Sequence, residues 1–137
     1  MGIKYKVYRE EGLLVDVFEG NISLSDIMEI YRIEHENIDF FTTTKAVSDI
    51  RKAKFKISLD EVKSFIKFMQ NPNNNTNFRW AVLAQNPMQT ALSILIRMDN
   101  YYRDIFKVFS TLEGCNTFLK TNYTEENFNE SDFIIVK

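Results

Sequence analysis

The sequence predicts an α/β fold built on a single mixed, mostly parallel sheet. A strand-like run followed by a cap and an amphipathic stretch occurs four times, and the runs are Leu13–Glu19, Thr43–Ile50, Arg79–Gln85 and Ile105–Ser110. The four helical patterns that follow begin near Ser23, Ser58, Pro87 and Thr111. Strands that alternate with helices of this length pair in parallel through right-handed crossovers. Any site is then expected at the carboxyl ends of the strands.

The first repeat is preceded by a predicted β-hairpin. Tyr5–Glu11 and Leu13–Glu19 have the composition of strands, and Gly12 joins them. Ser23, with Asp26 three residues later, has the spacing of a capping box in which Asp replaces Glu or Gln. We therefore expect the first helix to begin at Ser23.

The first helix is expected to bury one stripe. Ile27, Ile30 and Tyr31 recur at helical spacing, and Glu34 continues that spacing. Acidic and basic side chains alternate along the helix as they do on a solvated face, and they are Glu29, Arg32, Glu34, His35 and Glu36. A metal ion needs three or four converging ligands, so His35 predicts a surface histidine and no metal site.

The second repeat contains a basic connector. Arg51, Lys52, Lys54 and Lys56 follow the strand-like run that contains Asp49. Positive charge beside a helix N-terminus could hold the phosphate or carboxylate head of a ligand. The alternative is a solvated loop, which the lack of a glycine-rich cradle favours.

The second helix has a clear capping box. Ser58 and Glu61 stand at the required spacing. An apolar stripe follows, consisting of Val62, Phe65, Ile66 and Met69.

The third helix is more apolar than a surface helix requires. Asn86 and Pro87 begin it, with Asn at the cap and Pro at the first helical position. Besides the stripe that can face the sheet, it has a second apolar surface, which comprises Ile94, Met98, Tyr101 and Tyr102. Three alternatives stay open for this surface: cover by the chain itself, a homodimer interface, or the lip of a pocket for an apolar ligand.

Composition excludes several classes of protein. The chain has 137 residues, 45% of them hydrophobic, which suits one domain with a packed core. A formal net charge of −2 gives no electrostatic case for binding nucleic acid or an anionic membrane. Cys115 is the one cysteine and is expected in the core. No signal peptide or membrane-spanning segment is predicted, so we expect a cytoplasmic location.

The order of these elements resembles the SpoIIAA-like fold of anti-sigma-factor antagonists and STAS domains, and in particular uncharacterised bacterial SpoIIAA-like proteins. The segments that carry the resemblance are GNISLSDI, KAVSDIRKAKF, RWAVLAQNPMQTALSILI and KVFSTLEGCNTFL. The resemblance implies sequential strand order in a βα superhelix with four helices. It assigns residues 1–121 to the domain and 122–137 to an acidic tail. The end of the tail, FIIVK, could add a strand, cross to a partner or be partly ordered.

The resemblance also bears on regulation. In anti-sigma-factor antagonists a serine follows an Asp at the end of the central strand, caps the next helix and is phosphorylated. Here Asp49 is followed by Ile50 and Arg51, and Ser58 lies nine residues beyond Asp49. The phosphoserine switch is therefore expected to be absent, with Ser58 a structural cap and a weak phosphorylation candidate.

We expect a non-enzymatic regulatory or protein-interaction module without cofactor or metal. The partner is a regulatory protein or a second copy bound through the third helix. The alternative is a binding protein or sensor for a small apolar or lipid-like ligand with an anionic head. Its head would meet the basic connector near Asp49, and its apolar part would meet the third helix.

Overall fold

Six strands form one mixed sheet in the part of the chain that the computed structural model describes, which is residues 2–69, 78–98 and 104–137. The strands are β1 (Gly2–Tyr8), β2 (Leu13–Ser23), β3 (Lys45–Lys56), β4 (Arg79–Leu83), β5 (Phe106–Phe109) and β6 (Ile134–Ile135). Their order across the sheet is β5-β4-β3-β2-β1-β6. From β2 to β5 the strands are parallel and follow chain order, while β1 and β6 pair antiparallel. The predicted fold class, sequential order and opening hairpin are confirmed.

Each helix begins at the capping residue that the sequence predicts. The helices of the described residues are α1 (Leu24–Glu36), α2 (Leu59–Met69), α3 (Pro87–Arg97) and α4 (Leu112–Leu119). Short 3-10 helices cover Ile38–Thr42 and Glu125–Asn129. The side chains of Ser23, Ser58, Asn86 and Thr111 accept a hydrogen bond from a backbone N–H of the first turn. None of these helices is both long and apolar enough to cross a membrane.

The sheet packs a different layer on each face. The three-helix face carries α1, α2 and α3, and its core contains Leu14, Ile30, Phe65 and Phe106. The opposite face, which we call the α4 face, packs Val15 and Cys115 with the C-terminal residues that follow α4. Because successive residues of a strand point to opposite faces, both halves of the core come from the same central strands.

The basic connector is part of a strand, so its prediction as a loop is wrong. β3 continues to Lys56 and pairs with the end of β2, from Glu19 opposite Lys52 to Ser23 opposite Lys56. Ala53 and Phe55 pack into the three-helix core, while Lys52, Lys54 and Lys56 are exposed. This alternation is the period-2 pattern of a half-buried strand. A bulge in β3 sets two of its residues, Ile50 and Arg51, against one residue of β2, Phe18.

The C-terminal residues complete the α4 face. Tyr123, Phe128 and Phe133 are buried there against β2 and α4. β6 adds an edge strand beside β1, which is one of the three outcomes predicted for the segment FIIVK. The Lys4 ammonium donates to the Phe128 carbonyl oxygen at 2.6 Å. Residues 122–137 therefore share a core with the strands.

Truncating Phe128 tests whether this segment stabilises the domain. Phe128→Ala is expected to lower the free energy of unfolding by about 3–5 kcal/mol, because it empties a buried aromatic site. Phe41→Ala is the matched control, since Phe41 is 86% exposed. Urea unfolding of both variants measures the difference, and equal midpoints would show that the tail does not support the fold.

Candidate functional site

A cavity of about 110 Å³ lies between the central strands and the helices α1, α2 and α3. It is partly open, and its wall is mostly apolar. Six aromatic side chains contribute to it: Phe18, Tyr31, Phe55, Phe65, Trp80 and Phe106. The polar side chains of the wall are Asp16, Glu34, Ser48 and Ser93. This is the kind of pocket that takes an apolar molecule with a defined polar end.

Two carboxyl groups meet inside this apolar wall. Asp16 lies in the middle of β2, and Glu34 lies in the last turn of α1. They are 6% and 4% exposed, respectively. Glu34 donates a hydrogen bond to Asp16, so the pair shares a proton. Yet Oδ1 of Asp16 and Oε2 of Glu34 have no hydrogen-bond partner among the described residues. Buried polar groups are normally satisfied, so these two oxygens require an explanation.

A chain of hydrogen bonds fixes the Asp16 carboxyl. Ser48 stands beside Asp16 in the register of β2 and β3, and its side chain is hydrogen-bonded to that carboxyl. Trp80 on β4 donates its indole N–H to Ser48 Oγ over 2.9 Å. Because Ser48 Oγ accepts from Trp80, its hydroxyl hydrogen is free to point at Asp16. Packing against Phe106, at 4.7 Å between ring centroids, holds the indole.

Burial controls the protonation of the pair. Desolvation raises the pKa of Glu34 well above its ordinary value, and the neighbouring Asp16 charge raises it further. Desolvation also raises the pKa of Asp16, although the hydrogen bonds from Glu34 and Ser48 oppose the shift. Glu34 therefore holds the shared proton. Such shifts cluster at functional sites.

Sequence analysis missed this pair. Glu34 fits two patterns in the sequence, the buried stripe of α1 and its solvated face, and the structure places it in the buried stripe beside Ile30. The signal for Asp16 was a charged residue inside the apolar run LLVDVF of a central strand. That signal identifies one buried acid, whereas the convergence of Asp16 and Glu34 depends on how α1 packs across β2. His35, expected at the surface, is half-buried and stacks between Tyr31 and Phe40 at 3.9 and 4.1 Å.

The residues predicted to bind an anionic head lie at another place. Asp49 and Arg51 form a bidentate ion pair, with Arg51 Nε to Oδ1 and Nη2 to Oδ2 both at 2.9 Å. Arg51 also donates to both carboxylate oxygens of Glu125, at 2.7 and 2.9 Å. Its guanidinium thus joins β3 to the C-terminal segment and lowers the pKa of Glu125. An anion would have to compete with two carboxylates for Arg51.

The remaining predicted residues are dispersed. Lys52, Lys54 and Lys56 are exposed, and a head-group site formed by them stays a prediction. Ser58 is exposed and forms the capping box with Glu61, while its phosphorylation stays untested. On α3, Ile94 is 44% and Met98 73% exposed. The predicted partners of those two, Tyr101 and Tyr102, lie outside the described residues.

The buried pair predicts an unusual pH dependence of stability. The pKa of Glu34 is higher in the folded than in the unfolded chain, where it lies near 4.5. Stability is therefore highest on the acid side and falls as pH rises above 4.5 toward the folded-state pKa, by up to about 1.4 kcal/mol per pH unit for one proton. Glu34→Gln is expected to reduce that slope, and the slope that remains belongs to Asp16, whose pKa burial also raises.

Chemical unfolding of both proteins between pH 5 and 7 measures this effect. His35 acts with the opposite sign, because desolvation lowers its pKa and its contribution falls on acidification. The contribution of His35 cancels in the difference between the two proteins. Glu29→Gln, at an exposed position of α1, is the control. A Glu34→Gln slope equal to that of the native chain would contradict the protonation assigned to the pair.

The fold is similar to that of a solved structure. That structure is of an uncharacterised DUF3478-family protein with a SpoIIAA-like fold from Shewanella loihica PV-4. The alignment covers 86% of this chain and 93% of the other, with a TM-score of 0.59 and 17% sequence identity. No protein-family model and no curated protein matches the chain. At this identity the likeness concerns the architecture alone, and the chain has a SpoIIAA-like fold.

Proposed function

We propose that this protein is a non-enzymatic binding protein or sensor for a small, largely apolar ligand held in the cavity of the three-helix face. The observation that carries the proposal is the partly open, aromatic-lined cavity with four polar side chains in its wall. Ligand sites in proteins have this composition, with an apolar wall and a few polar groups that orient the ligand.

The volume limits the size of the ligand. About 110 Å³ is somewhat smaller than the engineered cavity of about 150 Å³ that takes up benzene. One ring or a short branched chain therefore fits inside. A longer molecule would extend through the open side. Such a ligand would bridge α1, α2 and α3 to the sheet, so binding would stabilise the helical layer.

The position and protonation of the Cys115 thiol support binding over catalysis. Cys115 lies on the α4 face, away from the cavity, and burial raises the pKa of its thiol to about 12. It is protonated at neutral pH, whereas the thiolate is the reactive form. His35 is half-buried and is held by a hydrogen bond to the Tyr31 carbonyl oxygen at 2.7 Å and by stacking on the Tyr31 ring.

Toluene is a suitable probe of the cavity. At ten times its Kd, a ligand of the folded state adds about 1.4 kcal/mol of stability. For a domain of this size we expect the melting temperature to rise by about 3–5 °C. Thermal unfolding with increasing toluene measures the shift.

A matched pair of substitutions locates the binding. Ser93→Leu places a larger side chain in the cavity wall, where Ser93 donates to the Gln89 carbonyl oxygen of its own helix. Ser64→Leu makes the same change at an exposed position of α2. Ser93→Leu is expected to abolish the toluene shift, and Ser64→Leu to retain it. No shift in the native chain, or an equal shift in both variants, would overturn the proposal.

A second candidate function is an interaction module that pairs with a second copy through α3. The exposed side chains of Ile94 and Met98 support it, because they lie four residues apart on one face of that helix. Methionine and aliphatic side chains are suited to such interfaces. A regulatory protein partner could use the same face.

Replacing Ile94 and Met98 tests whether α3 pairs with a second copy of the chain. If α3 forms a homodimer interface, Ile94→Asp with Met98→Asp halves the mass in solution and leaves a folded chain. Ile38→Asp is the control, because Ile38 is 80% exposed and lies on another element. Light scattering after size exclusion gives the mass, and thermal unfolding reports the folded state. An unchanged mass would remove the homodimer.

A further inference from the structure

We propose that the cavity selects a ligand whose polar end donates hydrogen bonds, an alcohol or an ammonium group, through the free carboxyl oxygens of Asp16 and Glu34. This inference rests on the proposed function, because it specifies the head group of the ligand that the cavity would take. It differs from the anionic head that the sequence predicts near Arg51.

The free acceptors lie where a ligand would be. Asp16 and Glu34 both line the cavity and are more than nine-tenths buried. Apart from the proton shared within the pair, Oδ1 of Asp16 and Oε2 of Glu34 have no hydrogen-bond partner among the described residues. A buried acceptor without a donor is costly to the free protein. A ligand that supplies donors to these atoms would remove this cost, so its binding gains more than burial of its apolar part alone.

The donors of the wall are already engaged. The Trp80 indole N–H donates a hydrogen bond to Ser48 Oγ, and the Ser48 side chain is hydrogen-bonded to Asp16. The protonated Glu34 carboxyl keeps its proton and donates a hydrogen bond to Asp16, and the Ser93 hydroxyl donates to the Gln89 carbonyl oxygen at 2.9 Å. The polar groups of the wall therefore present acceptors to a ligand. A carboxylate or phosphate head would meet oxygen lone pairs instead of N–H or O–H groups.

The negative charge of the Asp16–Glu34 pair also favours a ligand whose polar end donates hydrogen bonds. The pair shares one proton between two carboxyl groups, so it carries negative charge when Asp16 is ionised. The guanidinium of Arg51 makes its ion pairs with Asp49 and Glu125 at the other site. An ammonium group would form a charge-assisted hydrogen bond with the pair, and a hydroxyl would form a neutral one. An anion would be repelled.

Four probes with one common ring test the selection. Toluene, benzyl alcohol, benzylamine and benzoate have the same apolar part and differ in the head group. We expect benzyl alcohol and benzylamine to bind the native chain more tightly than toluene does, and at least about tenfold more tightly than benzoate. Isothermal titration calorimetry at pH 7 gives the four dissociation constants.

Variants connect the selection to the two carboxyl groups. Glu34→Met and Asp16→Asn each remove a carboxylate, and each is expected to weaken benzyl alcohol and benzylamine by about tenfold while toluene changes less than about threefold. Glu29→Gln is the matched control, because it removes an exposed carboxyl group of α1 that does not line the cavity. Thermal unfolding confirms that each variant is folded. If one variant does not fold, the order of the four dissociation constants in the native chain still tests the selection.

The outcomes separate this inference from the proposed function. Toluene binding with benzoate equal to or tighter than the alcohol and the amine would overturn the head-group selection and leave the apolar cavity site in place. Selection that persists in both variants would overturn the role of Asp16 and Glu34. If no probe binds, the proposed function fails and this inference fails with it. A tighter amine than alcohol supports an ionised pair, and the reverse order supports a neutral one.

Discussion

The handedness of the βα crossovers determines how the rest of the structure is arranged. Right-handed connections between parallel strands that follow chain order place every crossover helix on one side of the sheet. Three helices therefore share the three-helix face, where α1, α2 and α3 must fit side by side over four strands. The other face has α4 and needs cover from the C-terminal segment, which Tyr123, Phe128 and Phe133 provide. The cavity lies within the crowded layer.

The buried pair of Asp16 and Glu34 destabilises the fold, so its presence requires an explanation. An apolar side chain at Asp16 would suit a position that is covered by helices, and the neighbours Val15 and Val17 show what the strand uses elsewhere. Burying two carboxyl groups raises their pKa values and leaves two oxygens unsatisfied among the described residues. Stability alone does not account for such an arrangement, since replacement of buried polar pairs by apolar residues is often stabilising. Functional sites are where this kind of conflict is expected.

Local signals in the sequence were sufficient for the elements and insufficient for the site. Ser23, Ser58 and Asn86 cap helices because a side-chain oxygen at that position satisfies a free N–H, which is a local effect. The extension of β3 was missed because the charges of Lys52 and its neighbours concealed an alternation with Ala53 and Phe55. The acid pair was missed for a different reason, because Asp16 and Glu34 belong to separate elements. Their meeting depends on tertiary packing, which spacing along the chain does not encode.

The extension of β3 also changes which polar side chains lie near the start of α2. In the anti-sigma-factor antagonists that it resembles, the strand ends after an Asp, and a helix begins there with the regulated serine. Here the strand continues seven residues beyond Asp49, paired to the end of β2, so α2 begins well away from that carboxylate. Arg51 lies beside Asp49 instead and forms ion pairs with Asp49 and Glu125. Two carboxyl oxygens that are unsatisfied among the described residues, of Asp16 and Glu34, lie instead in the interior beneath α1. A ligand entering the three-helix layer would therefore meet buried carboxyl oxygens, whereas a phosphate at the edge of the sheet would meet the carboxylates of Asp49 and Glu125.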